Sequence, residues 1–364
     1  MQLQFFPSST VMLYTARMFL VRSFSVLAGL VLILMTLDLL GESGKILAYP
    51  GNGEPQLWTY VSLRVPQIVA RFLPFSVLLG TLITLLTLNQ NSEVVSMKAS
   101  GLSAHQILAP LIIAGLLVAA LSFAFNERVV TRATATLKAW AKVEYGPIPK
   151  DSAVQTNLWV RNGEDLIRAG RAIGRGSATR LLDVTLYDRV RNELSATIQA
   201  KEGHYVGGAW RLTDAKRFDV GTGLQTDLGT IIAARGVTPD RFTLANVDPE
   251  GLSFTQLRQA IDDLNAAGRP TRPLEAALWH KLSGPLSSVL MPLLGAVAGF
   301  GLARSGKLFV RAVAGMALGF AYFVADNFAL AMGNLGAYPP LLAAWAPFLL
   351  FLLIGETVLI RSEE

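Results

Sequence analysis

Downstream of a long apolar run, residues 127–146 read ERVVTRATATLKAWAKVEYG, and four of the cations recur at helical spacing. At about 100° per residue, Arg128, Arg132, Lys138 and Lys142 fall within about 120° of arc on one helix face. Two chemistries suit such a face. It can hold an anion, above all a phosphate, through charge-assisted hydrogen bonds. Equally, the long stems can lie along a membrane surface with their charged heads in water.

A second segment, NSEVVSMKASGLS at 91–103, sets Val94, Val95 and Met97 beside the charged Glu93 and Lys98. Apolar residues on so short a connection suit either a membrane-surface helix or a helix that docks on a partner. Asp326 is a third point of chemistry, because an acid within an apolar stretch must face protein or a water-lined cavity. Gly295 with Gly299, and Gly315 with Gly319, form small-xxx-small pairs that let helices approach closely.

Other motifs carry less. GLARSGKL at 301–308 nearly matches a nucleotide-binding loop. Leu308 stands where a magnesium-binding hydroxyl belongs, and an apolar span precedes the motif in place of a strand. His105, His204 and His280 are widely separated, which suggests neither a metal cluster nor a catalytic dyad. The pattern calls for no catalytic residue, cofactor or metal, so work done by this protein draws its energy from a partner.

The elements that must position these residues follow from composition. The 364 residues are 52% hydrophobic and only 16% charged, against roughly 25% charged in soluble domains. Mean hydropathy is +0.43. An ordinary soluble enzyme is excluded. Most charges lie between residues 127 and 275, as expected of a polar domain inserted between two apolar ones. There is no cysteine, so that domain must fold without disulfides. The net charge of +6 does not by itself indicate nucleic acid, because membrane proteins gather Lys and Arg at their loops.

A membrane helix needs about 20 apolar residues. Three such runs precede the polar domain, at about 18–40, 71–88 and within 99–126. Three follow it, at about 282–302, 310–332 and 339–360. With the amino terminus in the cytoplasm, Arg17, Arg22, Lys98, Arg304, Lys307, Arg311 and Arg361 all fall inside, which is the arrangement the positive-inside rule favours. Both termini are then cytoplasmic and the polar domain lies outside, in the periplasm of a bacterial inner membrane. Lys45, Arg64 and Arg71 share that outer surface with the 128–142 face.

Between Asp151 and Asp248, runs such as NLWV, VTLYD and ATIQA alternate with Gly, Asn and Asp, which predicts antiparallel strands in a sandwich or jelly roll. Ser253 and Gln256 form a capping-box pattern ahead of a helix that Gly268 and Pro270 stop.

Three segments together resemble the LptF/LptG family of lipopolysaccharide export permeases: 91–103, the stretch from TPDRF to DPEGLSFTQL at 238–257, and the region with YFVADN and GAYPPLLAAWAP at 322–347. Pro339, Pro340 and Trp345 favour the LptG branch. The resemblance covers essentially the whole chain. It implies an α-helical membrane protein with six transmembrane helices, 3+3, and an inserted all-β periplasmic jellyroll-like domain. Helices 1–3 occupy 1–145, with a coupling helix at 91–101; the jellyroll occupies 146–252, a connecting helix 253–275, and helices 4–6 occupy 276–364.

The implied partners are LptF as the other half of a heterodimer, a dimer of the LptB ATPase, LptC, and lipopolysaccharide itself. The family's acidic docking residue corresponds to Glu93. Some members carry lysines at the outer end of the first span for lipid phosphates. Here that stretch reads MTLDLLGES and only Lys45 remains, so the 128–142 face takes over the expectation. A rival reading is an FtsX-like or LolC-like permease, but those chains place one span before the large domain, not three.

Overall fold

The computed structural model describes residues 7–148, 155–174, 178–190, 193–243, 248–266, 270–299 and 308–361. These divide into two compact units. One is helical and comprises 1–146, 249–258 and 271–364; the other comprises 147–248 and 259–270.

The helical unit opens with α1 (Ser9–Ala48) and α2 (Glu54–Gln90), of 40 and 37 residues. At 1.5 Å per residue each is close to 60 Å long, twice the roughly 30 Å hydrocarbon thickness. The sequence predicts only the apolar middle of each, because polar helical extensions carry no hydropathy signal. The short α3 (Glu93–Ala99) leads into α4 (Ala104–Phe125). A capping box starts α4: Gln106 N–H donates to Ser103 Oγ at 3.2 Å, and Ser103 N–H to Gln106 Oε1 at 3.0 Å. The helix continues through a wide π-turn at Asn126–Val130 into α5 (Thr131–Lys142).

The carboxyl-terminal part contributes α8 (Arg272–Gly299), α9 (Leu308–Asn334) and α10 (Pro340–Arg361). Among the described residues, five helical stretches are long and apolar enough to cross a membrane: α1, α2, α4 with α5, α9 and α10. The expected fourth span, at about 282–302, falls on α8 and is not among these five; residues 300–302 lie outside the described set. α8 lies against α2, α4, α9 and α10, and Leu290, Met291, Leu293 and Leu294 are buried in the core. A helix surrounded by protein can carry His280, Ser283, Ser287 and Ser288, which a lipid-facing helix could not.

Small residues allow the closest approaches. A Cβ on Gly295 would stand 2.7 Å from Thr81 Cγ2, and one on Gly319 would overlap Leu78. Gly315 is also buried, whereas the surroundings of Gly299 and the GLARSG stretch lie outside the description.

The second unit is a single antiparallel sheet: β1 (Gln155–Asn162), β2 (Asp165–Ile173), β3 (Arg180–Val190), β4 (Glu193–Val206), β5 (Ala209–Asp219) and β6 (Gln225–Ala233). Its spatial order is the sequence order, each strand paired with the next. That corrects the jelly-roll expectation, because no Greek-key crossover occurs among the described pairings. Alternation of residue type specifies strand faces and leaves strand order open. The turns decide here. Gly207 and Gly208, both at positive φ (59° and 82°), close a two-residue hairpin between Val206 and Ala209, the geometry such tight turns require.

One sheet face buries Leu158, Val160, Ile167, Val184, Leu186 and Trp210. Val237 and Phe242, the latter on the short α6 (Asp240–Thr243), pack onto this face, and Trp210 Nε1 donates to the Val237 carbonyl at 2.8 Å. Helix α7 (Phe254–Ala266) begins with the predicted box, Ser253 N–H to Gln256 Oε1 at 3.1 Å and Gln256 N–H to Ser253 Oγ at 3.2 Å.

Candidate functional site

Where α1 ends and α2 begins, the side chains form a closed network with α5. Asp38 accepts three bonds: from Tyr60 OH at 2.6 Å, and from Arg64 Nε at 3.0 Å and Nη2 at 2.8 Å. Arg64 Nη1 donates to Gln67 at 2.9 Å. Glu42 accepts from Lys45 at 2.8 Å and from Tyr145 OH at 2.9 Å. Asn52 bridges the carbonyls of Ile46 and Tyr145, both at 2.8 Å, and Trp140 Nε1 donates to the Gly146 carbonyl at 2.6 Å. The Tyr145 ring stands edge-on to both Tyr60 and Trp140. Burial, then the Glu42 carboxylate, push its phenol up to about 12.

The predicted cationic face differs. Arg128, Arg132 and Lys142 are exposed and make no ion pair among the described residues, while Lys138 pairs with Glu250 at 2.8 Å. The π-turn alters the regular-helix angle assumed for Arg128, which is nonetheless exposed. Glu127, inside that turn, accepts the Phe254 N–H on both carboxylate oxygens, at 2.9 and 2.7 Å, and so fixes the start of α7. Of the remaining cations assigned to phosphate, Arg71 is exposed like Arg128. Arg64 and Lys45 are not comparable, since their charges are already matched by Asp38 and Glu42.

At the other end of the helical unit, α3 is held between α2 and α4. Gly101, at φ +92°, ends it: Leu102 N–H bonds back to the Met97 carbonyl at 3.1 Å and Gly101 N–H to that of Lys98 at 3.0 Å. The expected docking surface is corrected at one residue. Val94 is only 4% exposed and belongs to the chain's own core, with Met97 packed partly against it. Val95, 51% exposed, remains on the outer side with Lys98. A seven-residue helix has one inward stripe, and Val94 fills it. Glu93 Oε1 accepts from Tyr14 OH and Asn91 Nδ2, both at 3.3 Å.

Asp326 is a helix–helix contact. Its Oδ2 lies 3.0 Å from His280 Nε2, with the two side chains 15% and 28% exposed. The other histidines also face carboxylates, His105 with Glu356 at 3.2 Å and His204 with Glu202 at 3.4 Å. Sequence spacing missed all three pairs. Only His204 has its partner nearby in sequence, and that partner, Glu202, lies two residues away on the same strand, where side chains share a face.

Residues 13–361 match the family model described as "Lipopolysaccharide export system permease LptF/LptG". The chain belongs to the LptF/LptG family. It is 28% identical to the lipopolysaccharide export system permease protein LptG of Escherichia coli K12 over 316 residues, 84% of this chain and 85% of that one. Identity to the LptG of Haemophilus influenzae Rd is 24% over 332 residues, 86% and 89% of the two chains. An LptF/LptG permease is a transport subunit, not a catalytic enzyme, and the five apolar helices make this member an integral membrane protein. In LptF/LptG terms, the structure leaves Arg128, Arg132 and Lys142 as exposed cations without an ion pair among the described residues, and Glu93 with Val95 at a helix tip. Arg64, Lys45 and Asp326 it assigns to internal pairs.

Proposed function

We propose that this chain is the permease subunit of an ABC transporter that extracts lipopolysaccharide from the inner membrane and passes it to a periplasmic bridge. A separate ATPase supplies the energy. The family match over residues 13–361 carries the reading, and the helical unit with its inserted sheet supports it. In this reading α8 is the fourth of six spans, both termini are cytoplasmic, and the sheet is periplasmic and extends the lipid path. LptF completes the membrane cavity, an LptB dimer binds the cytoplasmic face, and LptC joins the bridge.

Chemistry assigns the parts. Lipopolysaccharide carries phosphates, and Arg128, Arg132 and Lys142 offer cations without an ion pair among the described residues beside an apolar helix. Glu93 and Val95 offer an acid and an apolar contact for a groove on the ATPase. A photo-crosslinker replacing exposed Ala141 tests the lipid role. It should capture lipopolysaccharide in native-membrane vesicles, and ATP should chase the captured species. Capture that ATP leaves unchanged, or no capture, refutes the transport path along α5.

A further inference from the structure

We infer that α1 works as a lever and that Tyr14 is the positioning residue that joins it to the docking helix; this rests on the docking role proposed for Glu93. α3 is seated on α2 and α4, with Val94 buried. The hydroxyl of Tyr14, 79 residues away in sequence, reaches Glu93 from a third helix. That bond engages Oε1, as does Asn91, while Oε2 accepts no bond among the described residues. One carboxylate can therefore hold α1 with one oxygen and an external cation with the other.

α1 is suited to move. Only 22% of its apolar window is buried, against 56% for α2. Leu13, Val21, Phe24, Leu32 and Leu37 are exposed along it. Among the described glycines, Gly80 marks where the α1 backbone comes hard against α2: a Cβ there would stand 2.7 Å from both N and Cα of Ser23. Beside that point Arg22 Nη1 donates to the Ile83 carbonyl at 2.8 Å, and Phe19 is fully buried. Contact at backbone level makes Ser23 the fulcrum.

At 1.5 Å per residue the short arm from Ser23 to Tyr14 is about 14 Å, and the long arm to Asp38 is about 22 Å. A displacement at Tyr14 of about 1 Å thus becomes roughly 1.6 Å at Asp38, where the paired network sits. Pulling Glu93 toward a partner's cation would tilt α1 about Ser23 and load the Asp38–Arg64 pair at its far end.

Tyr14→Phe tests this, since it removes only the hydroxyl. The full-length protein with its ATPase, in vesicles containing lipopolysaccharide, should retain ATPase capture. Lipid released per ATP should fall roughly two- to tenfold, the range for one hydrogen bond. Because the natural chain lacks cysteine, Leu40→Cys reports directly on the long arm. Its thiol reactivity should change with ATP, and Tyr14→Phe should suppress that change. In a Glu93→Ala background, which lacks the acceptor, Tyr14→Phe should add nothing. An unchanged lipid-to-ATP ratio, or a full Tyr14→Phe effect persisting in Glu93→Ala, overturns the lever. If Glu93→Arg loses ATPase capture while Tyr14→Phe is silent, only the lever fails. If Glu93→Arg keeps capture, the docking role fails as well.

Discussion

Arg64 and Arg132 are the same residue type, each on a long helix of the helical unit, yet one charge is paired within the chain and the other faces outward. Arg64 is two-thirds covered and spends three N–H···O contacts on Asp38 and Gln67 within the chain. Arg132 is exposed, without an ion pair among the described residues. The difference teaches which cations support the fold and which can serve a ligand. A guanidinium already held by a carboxylate must lose that partner before it meets a phosphate. An unpaired one exchanges only water.

Breaking the paired side should produce the largest effect. Arg64→Ala leaves Asp38 and Tyr60 without their cation. It should cost about 2 kcal/mol of stability, less than the 3–5 kcal/mol of a fully buried pair because both groups keep some solvent. Thermal unfolding in detergent reads this as a lowered Tm, and the neutral pair Asp38→Asn with Arg64→Gln should recover part of it. On the unpaired side, Arg128→Gln with Arg132→Gln should leave Tm unchanged while lipopolysaccharide capture falls roughly three- to tenfold, more at low salt. Equal loss of Tm in both variants would erase the contrast.

Tyr145 sharpens the paired side. Its folded phenol sits above the ordinary value of 10, so its contribution is fully present below about pH 10 and is lost as pH rises towards about 12. Tyr145→Phe should flatten that alkaline limb of the stability curve. The smallest effect belongs to the sheet. The Arg180 guanidinium, with His204, holds Glu202 below the usual carboxylate range. Its contribution is present above about pH 4.5 and fades as pH falls. Glu202→Gln should therefore blunt only the acid limb, followed by tryptophan fluorescence.

What could be read from the sequence was local. Apolar runs located α1, α2, α4, α9 and α10, and the Ser253–Gln256 box located α7, because each signal lies within one helix or one turn. The Arg128–Lys142 spacing was legible for the same reason, although the π-turn at Asn126–Val130 and the Lys138–Glu250 pair were not. The partners of Arg64 and Asp326 lie 26 and 46 residues away, and only packing chooses them. Val94 looked like a docking residue because hydrophobicity does not say whether a short helix turns its stripe toward its own chain or outward. The apolar run at about 282–302 likewise fell on α8 (Arg272–Gly299).

The consecutive order of the six strands bears on how the sheet is made. A chain delivered from its amino end presents β1 before β2 and β2 before β3, and each new strand finds its neighbour already at the edge. No strand has to wait for a distant partner, so loop closure stays short and few edges stand open at any moment. Val237 and Phe242 arrive after the last strand and cover the apolar face. Assembly can keep pace with synthesis, and β1 and the newest strand are the two edges that a helper protein would need to guard.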